Sequence, residues 1–271
     1  MGILIMNKKL TAIVVAATAL LLLFFVKPGN VQATTTDSSN DPIIFVPGAF
    51  DNDEGWDNMM TLIDPNAQHS VTKLNAMPNG QVLRKDIRTV NNGQRPIVIL
   101  SFQVNAYKEN VISKDANALR DALSIYNQKT PFTNADIIGH SNGGSITTTY
   151  LEQNATKPGF KFHFNHFISA GTPYNFQAGN GAANTPFLNI LIANSSQLPK
   201  DLQVTNIIGS NATSDASDGV VSRDSAMSGS KIFDGKVATF KQIHISGDDA
   251  LHANQASSPQ VASIIESTLG L

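Results

Sequence analysis

The chain of 271 residues has no cysteine, a single tryptophan and few charges, with 15% of its residues Asp, Glu, Lys or Arg. The missing cysteine excludes a disulfide framework, a thiolate metal site and a lipid-attachment cysteine, so stability has to come from a buried core. Basic residues are scarce as well. Of 19 Lys and Arg, three (Lys8, Lys9 and Lys27) lie in the first 33 positions, which contain no acid, so the remainder carries 16 basic against 21 acidic residues, a net charge of −5. Such a balance provides no basic stripe to displace phosphate counterions, and no nucleic-acid partner is expected. No internal repeat is visible.

What is present begins with the features of an export signal. Lys8 and Lys9 form a basic start, Leu10 to Val26 is uncharged and rich in Ala, Val, Leu and Phe, and Lys27-Pro28-Gly29 ends the run. Val31-Gln32-Ala33 places small residues where a signal peptidase reads, so cleavage after Ala33 is expected, leaving 238 residues. The alternative is an uncleaved anchor, because the apolar run lies near the lower limit of about 17 residues for a spanning helix. Membrane contact would then be confined to this segment. Residues 34–41, all Thr, Ser, Asp or Asn, read as a flexible spacer, and the rest is long enough for one α/β domain.

Short apolar runs alternate with amphipathic stretches, the order expected of a mostly parallel sheet with helices on both faces. Ile43–Val46, Ile97–Leu100, Asp136–Gly139, His166–Ala170, Val204–Ile208 and Thr239–Ile245 read as strands. Ala116, Leu119, Ala122, Leu123 and Tyr126 share one helical face, with Ser113 available as an N-cap, and Asn142–Leu151 and Ser258–Leu269 read as further helices. Residues 174–200 exceed an ordinary connection and contain a short helix signal, Thr185 then Pro186, so they read as a lid insertion. Its apolar residues Phe187, Leu188 and Leu191 would either line a site and bind an acyl chain or pack the lid onto the sheet.

Gly139-His140-Ser141-Asn142-Gly143 has the Gly-x-Ser-x-Gly spacing of a nucleophile elbow, in the strand-to-helix setting that the motif requires. Ser141 is then a candidate nucleophile. A serine hydroxyl needs a base to accept its proton and a carboxylate to orient that base. In this arrangement the chain order is Ser, acid, His. His252, in the loop before the closing helix, suits the base, with His244 a competitor only if the last strand ends early. Asp218, followed by Gly219-Val220-Val221, is the preferred acid and Asp215 the next. Two backbone N–H donors are needed for an oxyanion: Asn142 directly after the nucleophile, and Ala49, or alternatively Phe50, in the loop after the first strand.

Phe45-Val46-Pro47-Gly48, Gly139 to Gly144, Gly171-Thr172-Pro173, Ser217 to Val221 and Leu251-His252 together resemble the α/β-hydrolase superfamily. They are most similar to a family of exported, lipase-like hydrolases of uncharacterised function from Gram-positive bacteria, over about residues 42–270. By position, the resemblance implies Ser141 as nucleophile, Asp218 as acid and His252 as base. It departs at Pro47-Gly48, where many relatives have His-Gly, and at Asn142, where methionine is frequent.

The expectation is an exported serine hydrolase acting on carboxylic esters or lipids, with no metal or organic cofactor. Acyltransferase, thioesterase and peptidase chemistry share the same constellation, and a non-catalytic cell-envelope binding module on this scaffold is an alternative of a different class.

Overall fold

Ile43–Val46 (β1) is completely buried, and so is almost all of Ile97–Phe102 (β4). Continuous apolar runs of this kind form strands only where helices cover both faces. The computed structural model describes residues 40–103, 106, 108–157, 159, 162–211 and 213–271. The segment read as an export signal and residues 34–39 of the spacer lie outside the described residues.

The remaining strands are β2 (Val71–Ala76), β3 (Val82–Arg88), β5 (Asn134–His140), β6 (His163–Ala170), β7 (Gln203–Ser210) and β8 (Thr239–Ser246). They form one sheet of order β3-β2-β4-β1-β5-β6-β7-β8, parallel except for β3. In β1, Ile43 and Phe45 face one side, packing with Trp56 and Met59 of the segment that carries helix α1 (Asp57–Ile63) and with Ile265 of α7 (Pro259–Leu269). Ile44 and Val46 face the other, in the core cluster that also takes in residues of α2 (Glu109–Lys129), α3 (Asn142–Asn154) and α4 (Pro186–Asn194). Two short helices, α5 (Arg223–Met227) and α6 (Ser230–Phe233), follow β7.

Two expectations are corrected. Helix α2 starts at Glu109, with Lys108 rather than Ser113 at its N-cap, because Val111 and Ile112 are also buried and hold an additional turn on the sheet. Asp41 is no part of a free spacer: it is 2% exposed, and its carboxylate accepts the backbone and side-chain N–H groups of Asn134. The stretch 174–200 lies in the connection from β6 to β7. Its helix α4 carries the expected Thr185 cap, the hydroxyl accepting the Leu188 N–H. Phe187, Leu188 and Leu191, however, are 7%, 0% and 1% exposed within the core cluster on the α3 side. Burial of each contributes about 1.5–3 kcal/mol to stability.

The β2–β3 hairpin was not anticipated. Lys73 in β2 is buried because its ammonium meets Asp57 of α1 at 2.8 Å, and β3 is an edge strand whose Arg84, Lys85, Asp86 and Arg88 interrupt any apolar run. Charged edges of this type resist pairing with another chain.

Helix α3 carries a buried acid, Glu152, 5% exposed, whose Oε1 has no hydrogen-bond partner among the described residues. Burial pushes its carboxyl up to about 9. The folded protein therefore retains a proton that the unfolded chain releases near pH 4.5, and stability should fall as pH rises between those values, by up to about 1.4 kcal/mol per unit. Denaturant titrations of wild type and Glu152→Gln from pH 5 to 9 should show the variant gaining on the wild type with each unit. Parallel curves would mean that Glu152 is already ionised in the fold.

Candidate active site

The C-terminal ends of the parallel strands bring the sequence-selected residues together, at the edge where sheets of this kind bind ligands. Strand β5 ends at His140 and α3 begins at Asn142, so Ser141 alone makes the turn. Its φ of 53° and ψ of −124° are strained for a side chain of any size. The turn closes because residue 143 has no β-carbon: one placed there would lie 2.3 Å from the Val46 carbonyl oxygen. Ser141 N–H donates to the Ala170 carbonyl at 2.9 Å, tying the turn to the end of β6.

His252 Nε2 lies 2.9 Å from Ser141 Oγ, and His252 Nδ1 lies 2.8 Å from Asp218 Oδ2. The carboxylate can only accept, so Nδ1 carries the proton and the Nε2 lone pair faces the hydroxyl. Asp218 is 2% exposed, and its Oδ1 accepts the N–H groups of Val220 at 3.0 Å and Val221 at 2.7 Å. The turn that offers both donors runs through Gly219 at φ 100°. The backbone joins the two loops as well, since His252 N–H donates to the Asp218 carbonyl at 2.9 Å. In this line a proton can pass from hydroxyl to imidazole while the carboxylate offsets the resulting charge.

The competing residues lie elsewhere. Asp215 is exposed and pairs with Arg223, and His244 is exposed on β8. His166 bonds Asp136 near the start of β5, at the opposite end of that strand from Ser141.

On the other side of Ser141, a β-carbon on Gly48 would lie 3.1 Å from the serine Cβ, so the loop after β1 rests directly against the nucleophile. The N–H groups of Ala49 and Asn142 have no acceptor among the described residues, which leaves both available to an oxyanion. Phe50 has φ 66° and is 77% exposed, so the alternative donor belongs to a residue whose ring projects outward. Among the described residues four non-glycines have positive φ, and Phe50 and Ser141 are two of them. Phe187, Leu188 and Leu191 have no part in this arrangement.

Two supporting groups escaped the sequence reading. His140 Nε2 lies 3.0 Å from the His252 carbonyl, and its ring centroid lies 4.9 Å from that of His252. Burial, with His252 adding to it, pulls His140 down to about 3, so it is a neutral donor through Nε2. Asp51 Oδ2 lies 4.0 Å from His140 Nδ1, too far for a hydrogen bond. It accepts the Gly48 N–H at 3.2 Å instead and so shapes the Pro47–Phe50 loop. Burial raises the Asp51 carboxyl, opposed by the Gly48 bond and by His252. An aspartate three residues after Gly48 was the available signal. Asn142 contributes its side chain too, Nδ2 donating to the Ala106 carbonyl.

The similarities to known proteins agree with this architecture. The product of gene lin2722 of Listeria innocua superposes with a TM-score of 0.76 at 23% identity, over 84% of this chain and 93% of that one, a likeness of fold. A candidate cell surface hydrolase of Lactobacillus plantarum WCFS1 superposes with a TM-score of 0.73 at 28% identity, over 84% and 91% of the respective chains. No curated protein matches the chain. The family model described as alpha/beta hydrolase of unknown function (DUF915) matches residues 30–270. With nearly its whole length matched and an eight-stranded, mostly parallel sheet of the corresponding fold, the chain belongs to the DUF915 family of α/β hydrolases.

Proposed function

We propose that the protein is an exported serine hydrolase cleaving carboxylic esters with Ser141, His252 and Asp218 as its catalytic triad. The observation that carries this reading is the unbroken hydrogen-bonded line from Asp218 Oδ2 through the imidazole to Ser141 Oγ, at 2.8 and 2.9 Å. Ser141 Oγ attacks the ester carbonyl carbon as its proton moves to His252 Nε2. The carbonyl oxygen becomes an oxyanion held by the N–H groups of Ala49 and Asn142, aided by the positive end of α3. Collapse expels the alkoxide, which takes the proton back from His252 and leaves the acyl group on Ser141. Water then attacks the acyl-enzyme with His252 again as base, and the carboxylic acid departs.

An ester with an apolar acyl group is favoured over a charged one. Phe50, next to the proposed donor Ala49, and Val220, two residues from Asp218, are 77% and 62% exposed. Apolar side chains standing in water on both site loops suit a hydrocarbon partner. The reading of residues 1–33 as an export signal would put this activity outside the cytoplasm, and the cell surface description of the Lactobacillus relative supports that reading.

A fluorophosphonate probe, with the adduct located by mass spectrometry, tests the reading. Stoichiometric labelling of Ser141, lost in Ser141→Ala and His252→Ala, is expected. Well-folded protein that takes up no probe would remove the proposal and bring forward a binding role for the scaffold.

A further inference from the structure

Gln255 follows His252 by three residues, and its side chain is fully buried although an amide is costly to desolvate. Its Nε2 donates to Asp218 Oδ2 at 3.0 Å and to the Ala250 carbonyl at 3.0 Å. Both neighbours are acceptors, so the NH₂ group and not the amide oxygen must face them. The oxygen that Gln255 reaches is the one facing His252 Nδ1, while Val220 and Val221 occupy the other. Each carboxylate oxygen thus accepts two hydrogen bonds.

The surroundings make room for this amide and no more. A β-carbon on Gly209 would lie 2.4 Å from Gln255 Nε2, and one on Gly171 would lie 2.6 Å from its Oε1. Gly209 is in β7 and Gly171 directly follows β6, so the amide is gripped between the ends of two neighbouring strands.

We infer that Gln255 is a positioning residue of the proposed reaction, which aims Asp218 Oδ2 at His252 and limits how tightly that oxygen holds the protonated imidazole. The inference rests on the serine-hydrolase reading above. When His252 accepts the serine proton, its Nδ1–H presses positive charge onto Oδ2. The Gln255 N–H withdraws part of the negative charge on that oxygen. Without it, Oδ2 has a single donor and greater basicity, and the imidazolium returns its proton to the leaving group less readily.

Gln255→Met retains length and volume without a donor. With p-nitrophenyl butyrate as probe, kcat should fall about ten- to hundredfold, the effect of one hydrogen bond to a charged group, while KM stays within twofold because Gln255 touches no solvent. The acidic limb of the kcat/KM profile should move to higher pH, a displacement that mere loosening of the loop does not produce. Gln255→Glu keeps the shape and can donate to Asp218 only while protonated, so its deficit relative to wild type should grow with pH. A Gln255→Met protein with kcat within threefold of wild type and an unmoved limb would overturn the inference and, if wild-type Ser141 still takes up fluorophosphonate, leave the hydrolase reading intact. Loss of cooperative unfolding in both variants would assign Gln255 to holding the loop alone and equally overturn it. A wild type that is not labelled would remove the hydrolase reading and this inference together.

Discussion

Ser141→Ala is expected to lower turnover of a p-nitrophenyl ester by about four to six orders of magnitude. The substitution removes the hydroxyl that His252 Nε2 faces, at 2.9 Å. Alanine bears the same backbone strain as serine at φ 53°, so the fold should lose little beyond one hydrogen bond, about 1 kcal/mol. The residual rate would report what the proposed oxyanion donors, the N–H groups of Ala49 and Asn142, accomplish without a nucleophile. Steady-state kinetics beside a thermal melt separate the two effects, and a decrease of less than tenfold would transfer the nucleophile to another residue.

Asp218→Asn should cost about 10⁴ in kcat, for a reason that the hydrogen bonds around this carboxylate make definite. Val220 and Val221 both donate to Oδ1, so the amide oxygen of an asparagine has to remain on their side. Its NH₂ group then occupies the place of Oδ2 and presents hydrogen to His252 Nδ1. Imidazole can accept that bond only by moving its own proton to Nε2, and the tautomer that results cannot receive a proton from Ser141. The same NH₂ would also face the Gln255 Nε2 donor, so a lower melting temperature should accompany the kinetic loss. A variant retaining a tenth or more of wild-type kcat would show that the orientation of His252 does not depend on Asp218.

Much of the site could be read from residue order because chain topology and local sterics impose it. Small residues at 139 and 143 are demanded wherever a strand turns into a helix over one serine, and the strand sequence then places the acid and histidine loops at the same sheet edge. Asp218 was separable from Asp215 on local grounds, since only Asp218 has a glycine next and two apolar residues after it. In the fold, Asp218 is 2% exposed, whereas Asp215 stands in solvent with Arg223.

Amphipathic stretches were read less completely. Phe187, Leu188 and Leu191 declare that a helix buries one face, but nothing local states whether that face meets a substrate or the core, and contact with α3 and the sheet decided for the core. Strand β2 escaped notice because Lys73 breaks its apolar run, and the Asp57 that makes its burial tolerable belongs to a different element. His140 and Gln255 illustrate the same limit at the site. A histidine beside a serine and a glutamine after a histidine are common residue pairs, and each acquires its role only through partners more than 30 residues away in the chain.

The sequence by itself determined the fold class, the serine elbow and the chain order of the candidate residues Ser141, Asp218 and His252, because backbone sterics and the burial of apolar runs are local demands. Tertiary structure alone decided which apolar face is core, how closely the loop after β1 rests against Ser141, and which buried polar groups lie against His252 and Asp218. Those depend on desolvation and on hydrogen bonds between distant segments, whose strength is set by what surrounds them after the chain has folded.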